Sequence, residues 1–229
     1  MKDLKDYKNL NRKENLKLAS KVVHGAEGID PATGSISFPI YQTATFKHSG
    51  IEIRDPYNYS RCINPTREEL EKTMAILEEG TRAFAVNSGM AAITLVFSLL
   101  KPGDHLIMSD DIYGGTFREV NEVLEVNGIE HDSIDLSDLD LLKKTIKKNT
   151  KMIFVETPTN PMMKVADIEK ITKIGHDIGA LVVVDNTFLT PYFQRPLTLG
   201  ADIVVHSGTK YLAGHNDVLA GVVVVKDSK

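Results

Sequence analysis

A lysine that directly follows an apolar, strand-like run is the first candidate for chemistry in this sequence. Residues 201–210 read ADIVVHSGTK, and the β-branched first half of this stretch predicts a buried strand that ends shortly before Lys210. An amine that is desolvated at a strand end has a lowered pKa and can attack a carbonyl group to form a Schiff base. A surface lysine with its ammonium group in water is the alternative, and this stretch alone leaves both open.

Polar or small residues also stand where the other apolar runs of the chain end. The set consists of Ser88, Gly89, Tyr113, Asn160, Asp185, Ser207 and Lys210. In parallel sheets covered by helices, binding sites lie beyond the carboxyl ends of the strands. The sequence therefore predicts that these residues share one pocket.

The turn at residues 87–89 lies between a strand pattern and a helix pattern. It places the backbone N–H groups of Gly89 and Met90 at a helix N-terminus, where they have no partner within the helix and can bind an anion. An ordinary helix cap is the alternative interpretation of this turn.

Taken together, these residues indicate a site for pyridoxal 5'-phosphate (PLP). Lys210 would hold the aldehyde of the cofactor as a Schiff base. Asp185 would keep the pyridine nitrogen protonated, which lets the ring accept electrons from a carbanion at the substrate's α-carbon. The phosphate would be bound by Gly89, Met90, Ser207 and Thr209.

The composition narrows the class of protein. The chain has 229 residues, a net charge of −4, scattered basic residues and a single cysteine, Cys62. With no signal-peptide pattern at its start, it is expected to be a cytoplasmic protein without a nucleic-acid or membrane partner. The absence of GxGxxG, P-loop, HExxH and paired CxxC motifs predicts neither a dinucleotide nor a metal site. The expected partner is a small molecule or another subunit.

The elements that position these residues are predicted from the spacing of apolar residues after residue 65. Helices are predicted over 67–79, 90–100, 117–127, 136–148 and 168–179, the first with Thr66 as its N-cap. Strands are predicted over 82–86, 105–109, 152–156, 181–185, 203–206 and 221–225. Because strands that are apolar on both faces alternate with helices, we predict an α/β fold with three α/β/α layers and a mostly parallel sheet.

The first 65 residues lack this regular pattern. Residues 1–17 are polar and lysine-rich and predict a loose arm or a short exposed helix, and residues 19–65 predict an irregular segment. A long, partly apolar segment without regular elements is usually functional. We therefore expect residues 1–65 to lie as an arm across a neighbouring subunit, and residues 66–229 to form the cofactor-binding domain.

Six ordered motifs carry a resemblance to a known family. They read YSRCINPT, NSGMAAI, DDIYGGT, ETPTNP, VVVDNTF and HSGTKYLAGHNDVLAG, and the match runs from about residue 22 to residue 225. They resemble the Cys/Met-metabolism family of PLP enzymes, which includes cystathionine synthases and lyases, methionine γ-lyase and homoserine sulfhydrylases. The resemblance implies the large domain of fold-type I PLP enzymes and a homotetramer built from active dimers.

The same resemblance implies roles for individual residues. Tyr59 and Arg61 would reach into the partner's site and hold its cofactor phosphate. Tyr113 would stack on the pyridine ring and help to activate the incoming amine, and Asn160 would hydrogen-bond the ring hydroxyl. Lys210, once released from the cofactor, would move protons among the α-, β- and γ-carbons of the substrate.

The activity implied is cleavage or formation of a C–S bond in the side chain of a sulfur amino acid, with cystathionine as the preferred substrate or product. Gly115 stands where methionine γ-lyases carry a cysteine, which disfavours that member. Family members continue into a smaller C-terminal domain, so this protein is expected to be a fragment or one part of a longer polypeptide. An inactive cofactor-binding subunit and a fold-type I aminotransferase are the alternatives, and β- and γ-chemistry both stay open.

Overall fold

The computed structural model describes residues 16–26, 29–30, 32–51 and 53–226. The arm predicted over residues 1–17 lies almost entirely outside this part of the sequence. The chain divides into two compact units, Met1–Leu77 and Glu78–Lys229. This division falls after Leu77, whereas the domain boundary predicted from the sequence lies at residue 65.

The described residues of the first unit form one helix, a long irregular connection and all of a second helix except its last residue, Glu78. Helix α1 spans Leu18–His24 and helix α2 spans Pro65–Glu78. The prediction of an irregular segment from residue 19 onward is therefore wrong at its beginning. The backbone N–H of Ala26 fixes the end of α1 to α2, because it donates to Glu69 Oε1 at 3.1 Å and to Thr73 Oγ1 at 3.0 Å.

The start of α2 also differs from the prediction, which made Thr66 the N-cap. The side chain of Asn64 accepts a 2.9 Å hydrogen bond from the backbone N–H of Thr66, so Asn64 caps the helix. The hydroxyl of Thr66 instead accepts from the backbone N–H of Tyr41 at 2.8 Å and donates to the carbonyl of Pro39. Thr66 therefore anchors the irregular segment to α2.

The second unit is built on one seven-stranded sheet. Its strands are β1 (Arg82–Val86), β2 (His105–Ser109), β3 (Glu130–Ile134), β4 (Thr150–Glu156), β5 (Leu181–Asp185), β6 (Ile203–Ser207) and β7 (Gly221–Val225). They lie in the order β1-β7-β6-β5-β4-β2-β3. Strand β7 is antiparallel to both of its neighbours, and all other neighbouring pairs are parallel. The predicted mostly parallel sheet is confirmed.

Strand β3 is the strand that sequence analysis missed. It reads EHDSI, lies at the edge of the sheet beside β2, and none of its residues is fully buried. The neighbouring strand β2 is buried at all five positions. An edge strand that is partly open to solvent does not need apolar residues, so β3 lacks the pattern by which the other strands were predicted.

Five helices of the second unit connect the strands. They are α3 (Gly89–Phe97), α4 (Gly114–Glu119), α5 (Leu139–Thr145), α6 (Ile168–Asp177) and α7 (Thr190–Phe193). Helix α4 begins before its predicted start at residue 117 and continues into a π-helical turn, Val120–Leu124. Helix α5 begins later than predicted, because the carboxylate of Asp138 accepts from the backbone N–H groups of Asp140 and Leu141 and caps it there.

Helices α3 and α6 lie on opposite faces of the sheet. Phe97 of α3 packs in one apolar cluster with Phe154 and Val183, and the centroids of its ring and that of Phe154 are 5.1 Å apart. Gly175 of α6 lies so close to Val182 that an added Cβ would be 2.6 Å from it. Because successive side chains of a strand point to opposite faces, these contacts establish the predicted three-layer architecture. Among the residues that the structure describes, none of the helices has the length and apolar character needed to cross a bilayer.

Candidate active site

A cavity of about 550 Å³ opens at the carboxyl ends of the parallel strands. This volume is in the range of small-molecule and cofactor pockets. The predicted site residues among its lining residues are Ser88, Gly89, Met90, Tyr113, Asn160, Asp185, Ser207, Thr209 and Lys210. The structure therefore brings together nine residues that lie at or after the ends of five different strands.

The other two predicted site residues, Tyr59 and Arg61, belong to the first unit. Both side chains are exposed, and the guanidinium carbon of Arg61 lies 4.9 Å from the centroid of the Tyr59 ring. This geometry is a cation–π contact. Their assignment to a neighbouring subunit's cofactor stays a prediction.

One end of the cavity suits an anion. The hydroxyl of Ser88 caps helix α3 by accepting from the backbone N–H of Ala91 at 3.1 Å. No acceptor within the described residues takes the N–H groups of Gly89 and Met90, which begin this nine-residue helix. The positive end of the helix and these two donors provide favourable ligands for a phosphate.

Two residues expected to contact the phosphate have different surroundings. Ser207 lies directly against Gly89, since a Cβ added to Gly89 would be 2.6 Å from that of Ser207. The hydroxyl of Thr209, in contrast, donates to the carbonyl of Ala220 at 3.3 Å and accepts from the N–H of Ala220 at 3.1 Å. Thr209 lines the cavity, but its hydroxyl already ties the loop after β6 to the start of β7.

Asp185 ends strand β5 in the cavity wall. Its Oδ1 accepts from the backbone N–H of Thr187 at 3.0 Å and from the hydroxyl of Thr187 at 2.6 Å. Burial raises the pKa of Asp185, and the Thr187 hydrogen bonds and the nearby His206 act in the opposite direction. A protonated ring nitrogen in the cavity would relieve this cost of burial, because it supplies the opposite charge.

Lys210 lies in the turn after β6, and its backbone N–H donates to the carbonyl of Ser207 at 3.2 Å. Its side chain lines the cavity but is exposed in this structure. The expectation of an amine desolvated at the strand end is therefore not met. The physical reason is its position three residues beyond the strand, where the turn carries the side chain to the rim of the cavity.

Tyr113 precedes helix α4, and its ring is 43% exposed at the cavity. Gly115 lies against this ring, because an added Cβ would be 2.5 Å from Tyr113 Cε1 and 2.7 Å from Met90 Sδ. The absence of a side chain at Gly115 therefore allows the position that the Tyr113 ring adopts.

Glu156 is the site residue that sequence analysis missed. It ends strand β4, is 5% exposed, lines the cavity and is paired in register with Asp185 on β5. Burial, followed by the charge of Asp185, raises the pKa of Glu156 to about 8. Its position at the end of the apolar run MIFVE matches that of Asp185 after LVVV, and this similarity is the signal that could have identified it.

The residues around the cavity fit PLP as a group. Free N–H donors at a helix N-terminus suit its phosphate, and the partly buried carboxylate of Asp185 suits its ring nitrogen. An exposed amine at the rim suits its aldehyde, and an aromatic ring beside the cavity suits its pyridine face.

Comparisons with known proteins agree with this arrangement. A family model described as Cys/Met metabolism PLP-dependent enzyme matches residues 19–229. The chain is 51% identical over 212 residues to a cystathionine beta-lyase of Lactococcus lactis, covering 93% of this chain and 56% of that protein. It is 52% identical over 200 residues to a cystathionine gamma-synthase/O-acetylhomoserine (thiol)-lyase of Bacillus subtilis, covering 87% of this chain and 54% of that protein.

A solved structure shows the same fold. The crystal structure of cystathionine gamma-lyase from Lactobacillus plantarum complexed with L-serine matches with a TM-score of 0.90 and 45% identity. The match covers 93% of this chain and 55% of that protein. The chain thus spans about half the length of the relatives it matches.

Proposed function

Because the chain belongs to the Cys/Met metabolism family of PLP-dependent enzymes, we propose that its cavity binds PLP and that the whole protein acts on a sulfur amino acid. The proposed reaction cleaves or forms a C–S bond in the side chain of that amino acid. Cystathionine is the favoured substrate or product, since the relatives described above carry names of cystathionine lyases and a cystathionine synthase.

One observation carries the proposal. Asp185 ends strand β5, and Lys210 and the N-terminus of α3 follow two other strands, yet all three line the same cavity. A carboxylate, an amine and an anion site are the three groups needed to hold the ring nitrogen, aldehyde and phosphate of PLP.

Each of three residues in the cavity has its own role in the proposed reaction. Bound PLP accepts the electron pair that forms at the substrate's α-carbon when a proton leaves it. The carboxylate of Asp185 would accept a hydrogen bond from the ring nitrogen and so keep that nitrogen protonated. The amine of Lys210 would hold the aldehyde, and it would also take protons from the substrate carbons and return them. The ring of Tyr113 would orient the cofactor by stacking on the face of its ring.

The proposal extends to a cytoplasmic homotetramer built from active dimers. Tyr59 and Arg61 would then hold the phosphate in a neighbouring subunit's site, which agrees with the exposure of both side chains in this structure. Mixing a Lys210→Ala protein with an Arg61→Ala protein tests this arrangement. Shared sites predict that the mixture regains about a quarter of normal PLP-dependent turnover, because about half of the random dimers contain one copy of each variant and each of these mixed dimers keeps one of its two sites intact.

The cofactor assignment is tested by titrating the protein with PLP and recording its visible absorption. Lys210→Ala should abolish the pH-insensitive visible band of lysine-bound cofactor, whereas Lys173→Ala, on the exposed surface of α6, should leave it unchanged. A band that persists unaltered in Lys210→Ala would overturn the assignment.

The reaction is tested by incubating the holoenzyme with cystathionine. Release of pyruvate would identify β-cleavage, and release of 2-oxobutyrate would identify γ-cleavage. Cofactor binding without either product, and without synthesis of cystathionine from an acylated homoserine and cysteine, would support an inactive cofactor-binding subunit instead.

A further inference from the structure

The carboxyl group of Glu156 joins two loops of the proposed cofactor site. Its Oε2 accepts a 2.9 Å hydrogen bond from the backbone N–H of Tyr113, and the backbone N–H of Asn160 also donates to this carboxyl group. Tyr113 follows strand β2 and Asn160 follows strand β4. One buried side chain therefore fixes both residues that are expected to contact the cofactor ring.

The backbone of Glu156 strengthens this junction. Its N–H donates to the hydroxyl of Ser109 at 3.1 Å, which lies at the end of β2. Both the backbone and the side chain of Glu156 thus connect the exit of β4 to the exit of β2. A residue held at both points has little freedom to move away from the cavity.

A second set of contacts holds the same two loops on their outer side. The carboxylate of Asp111 accepts from the hydroxyl of Thr159 and from the backbone N–H of Met162. Lys164 Nζ donates to both carboxylate oxygens of Asp110, at 3.0 and 2.9 Å. These outer contacts can keep the loops folded when the inner carboxyl group is altered, which makes its role at the cavity separable from folding.

Glu156 is paired with Asp185, the last residue of the adjacent strand β5. Two carboxyl groups in one desolvated wall are not both ionised at low cost, since each charge disfavours the other. Asp185 accepts two hydrogen bonds from Thr187 on one oxygen and faces the cavity, so it is the better placed to hold the negative charge. The charged groups that face Glu156 are Asp185 on β5 and Asp111 after β2.

We propose that Glu156 is a positioning residue of the cofactor site, which fixes Tyr113 and Asn160 and carries the proton of the Glu156–Asp185 pair. It leaves the negative charge on Asp185, where a ring nitrogen would meet it. This inference rests on the proposed function, because Tyr113, Asn160 and Asp185 matter only if a cofactor occupies the cavity.

The positioning role is tested by the PLP dissociation constant and by the circular dichroism of the bound cofactor. Glu156→Ala leaves two backbone N–H groups without their acceptor and should weaken PLP binding about 5- to 100-fold and reduce the dichroic band. Glu156→Gln keeps an oxygen in the same place and should restore most of both. The exposed Glu122→Ala serves as control and should match the wild type.

Protonation of the Glu156 carboxyl group is tested by infrared difference spectroscopy of the holoprotein near pH 6.5. A protonated-carboxyl C=O band should be present in the wild type, absent in Glu156→Gln and retained in Asp185→Asn. A band that disappears only in Asp185→Asn, or wild-type binding and dichroism in Glu156→Ala, would overturn the inference. If the wild type itself does not bind PLP, the proposed function fails instead.

Discussion

A fully buried hydrogen bond between Glu78 and His206 provides a sharp test of how the second unit is stabilised. Glu78 Oε1 lies 2.6 Å from His206 Nε2, and both side chains have no exposed surface. The side-chain amide of Asn186 donates to the same oxygen at 2.9 Å. Glu78 thus accepts from two residues that are next in sequence to Asp185 and Ser207.

Truncation of the Glu78 side chain should lower the free energy of unfolding substantially. Glu78→Ala leaves the His206 ring and one N–H of the Asn186 amide without an acceptor, each with a penalty of about 1–3 kcal/mol. The other N–H of that amide still donates to the carbonyl of Gln194 at 2.8 Å. The two penalties together amount to about 2–6 kcal/mol, and we expect a loss of that size in the free energy of unfolding. Glu78→Gln keeps one acceptor oxygen and should lose about 1–2 kcal/mol.

The assay is equilibrium urea unfolding without added PLP, so that cofactor binding does not contribute. The control is the exposed pair of His176 and Asp202, whose Nε2 and Oδ2 atoms are 3.0 Å apart but whose side chains are 48% and 30% exposed. His176→Ala should cost less than about 1 kcal/mol, because water replaces much of the interaction.

Two results would contradict the expected role of burial in the Glu78–His206 contact. Equal losses in Glu78→Ala and His176→Ala would refute the argument, since distance alone would then decide the energy and burial would not. A double-mutant cycle between Glu78 and His206 with no coupling energy would show that the cost comes from packing.

Three further substitutions test the geometry of the site. Gly89→Ala places a Cβ 2.6 Å from that of Ser207, so we expect a loss of about 1–3 kcal/mol in unfolding experiments and at least about tenfold weaker PLP binding in titrations. Gly115→Ala places a Cβ 2.5 Å from the Tyr113 ring, so the ring must move, and the dichroic band of bound PLP should change while the melting temperature falls little. For Glu156, burial raises the pKa from 4.5 to about 8, so the apo wild type should lose stability relative to Glu156→Gln as pH rises through this window. The difference should change by about 1.4 kcal/mol per pH unit, and parallel stability curves for the two proteins would contradict this reasoning.

The fold was largely predictable because burial leaves a strong pattern in the sequence. Strands such as β5, which reads LVVVD, are apolar because the sheet is covered on both faces. Strand β3 escaped prediction because its edge position permits polar residues. The starts of α2 and α5 differed from the prediction because the side chains of Asn64 and Asp138 cap these helices.

The sequence by itself determined which residues follow the strands, and that was enough to predict nine residues of the cavity. It did so because the direction of a parallel strand fixes the edge at which its last residue lies. The tertiary structure decided the surroundings of each side chain. Lys210 is exposed, the hydroxyl of Thr209 is bonded to Ala220, and Glu156 shares a buried wall with Asp185. Charge state and hydrogen bonding depend on groups brought together from distant parts of the sequence, so only the packed structure defines them.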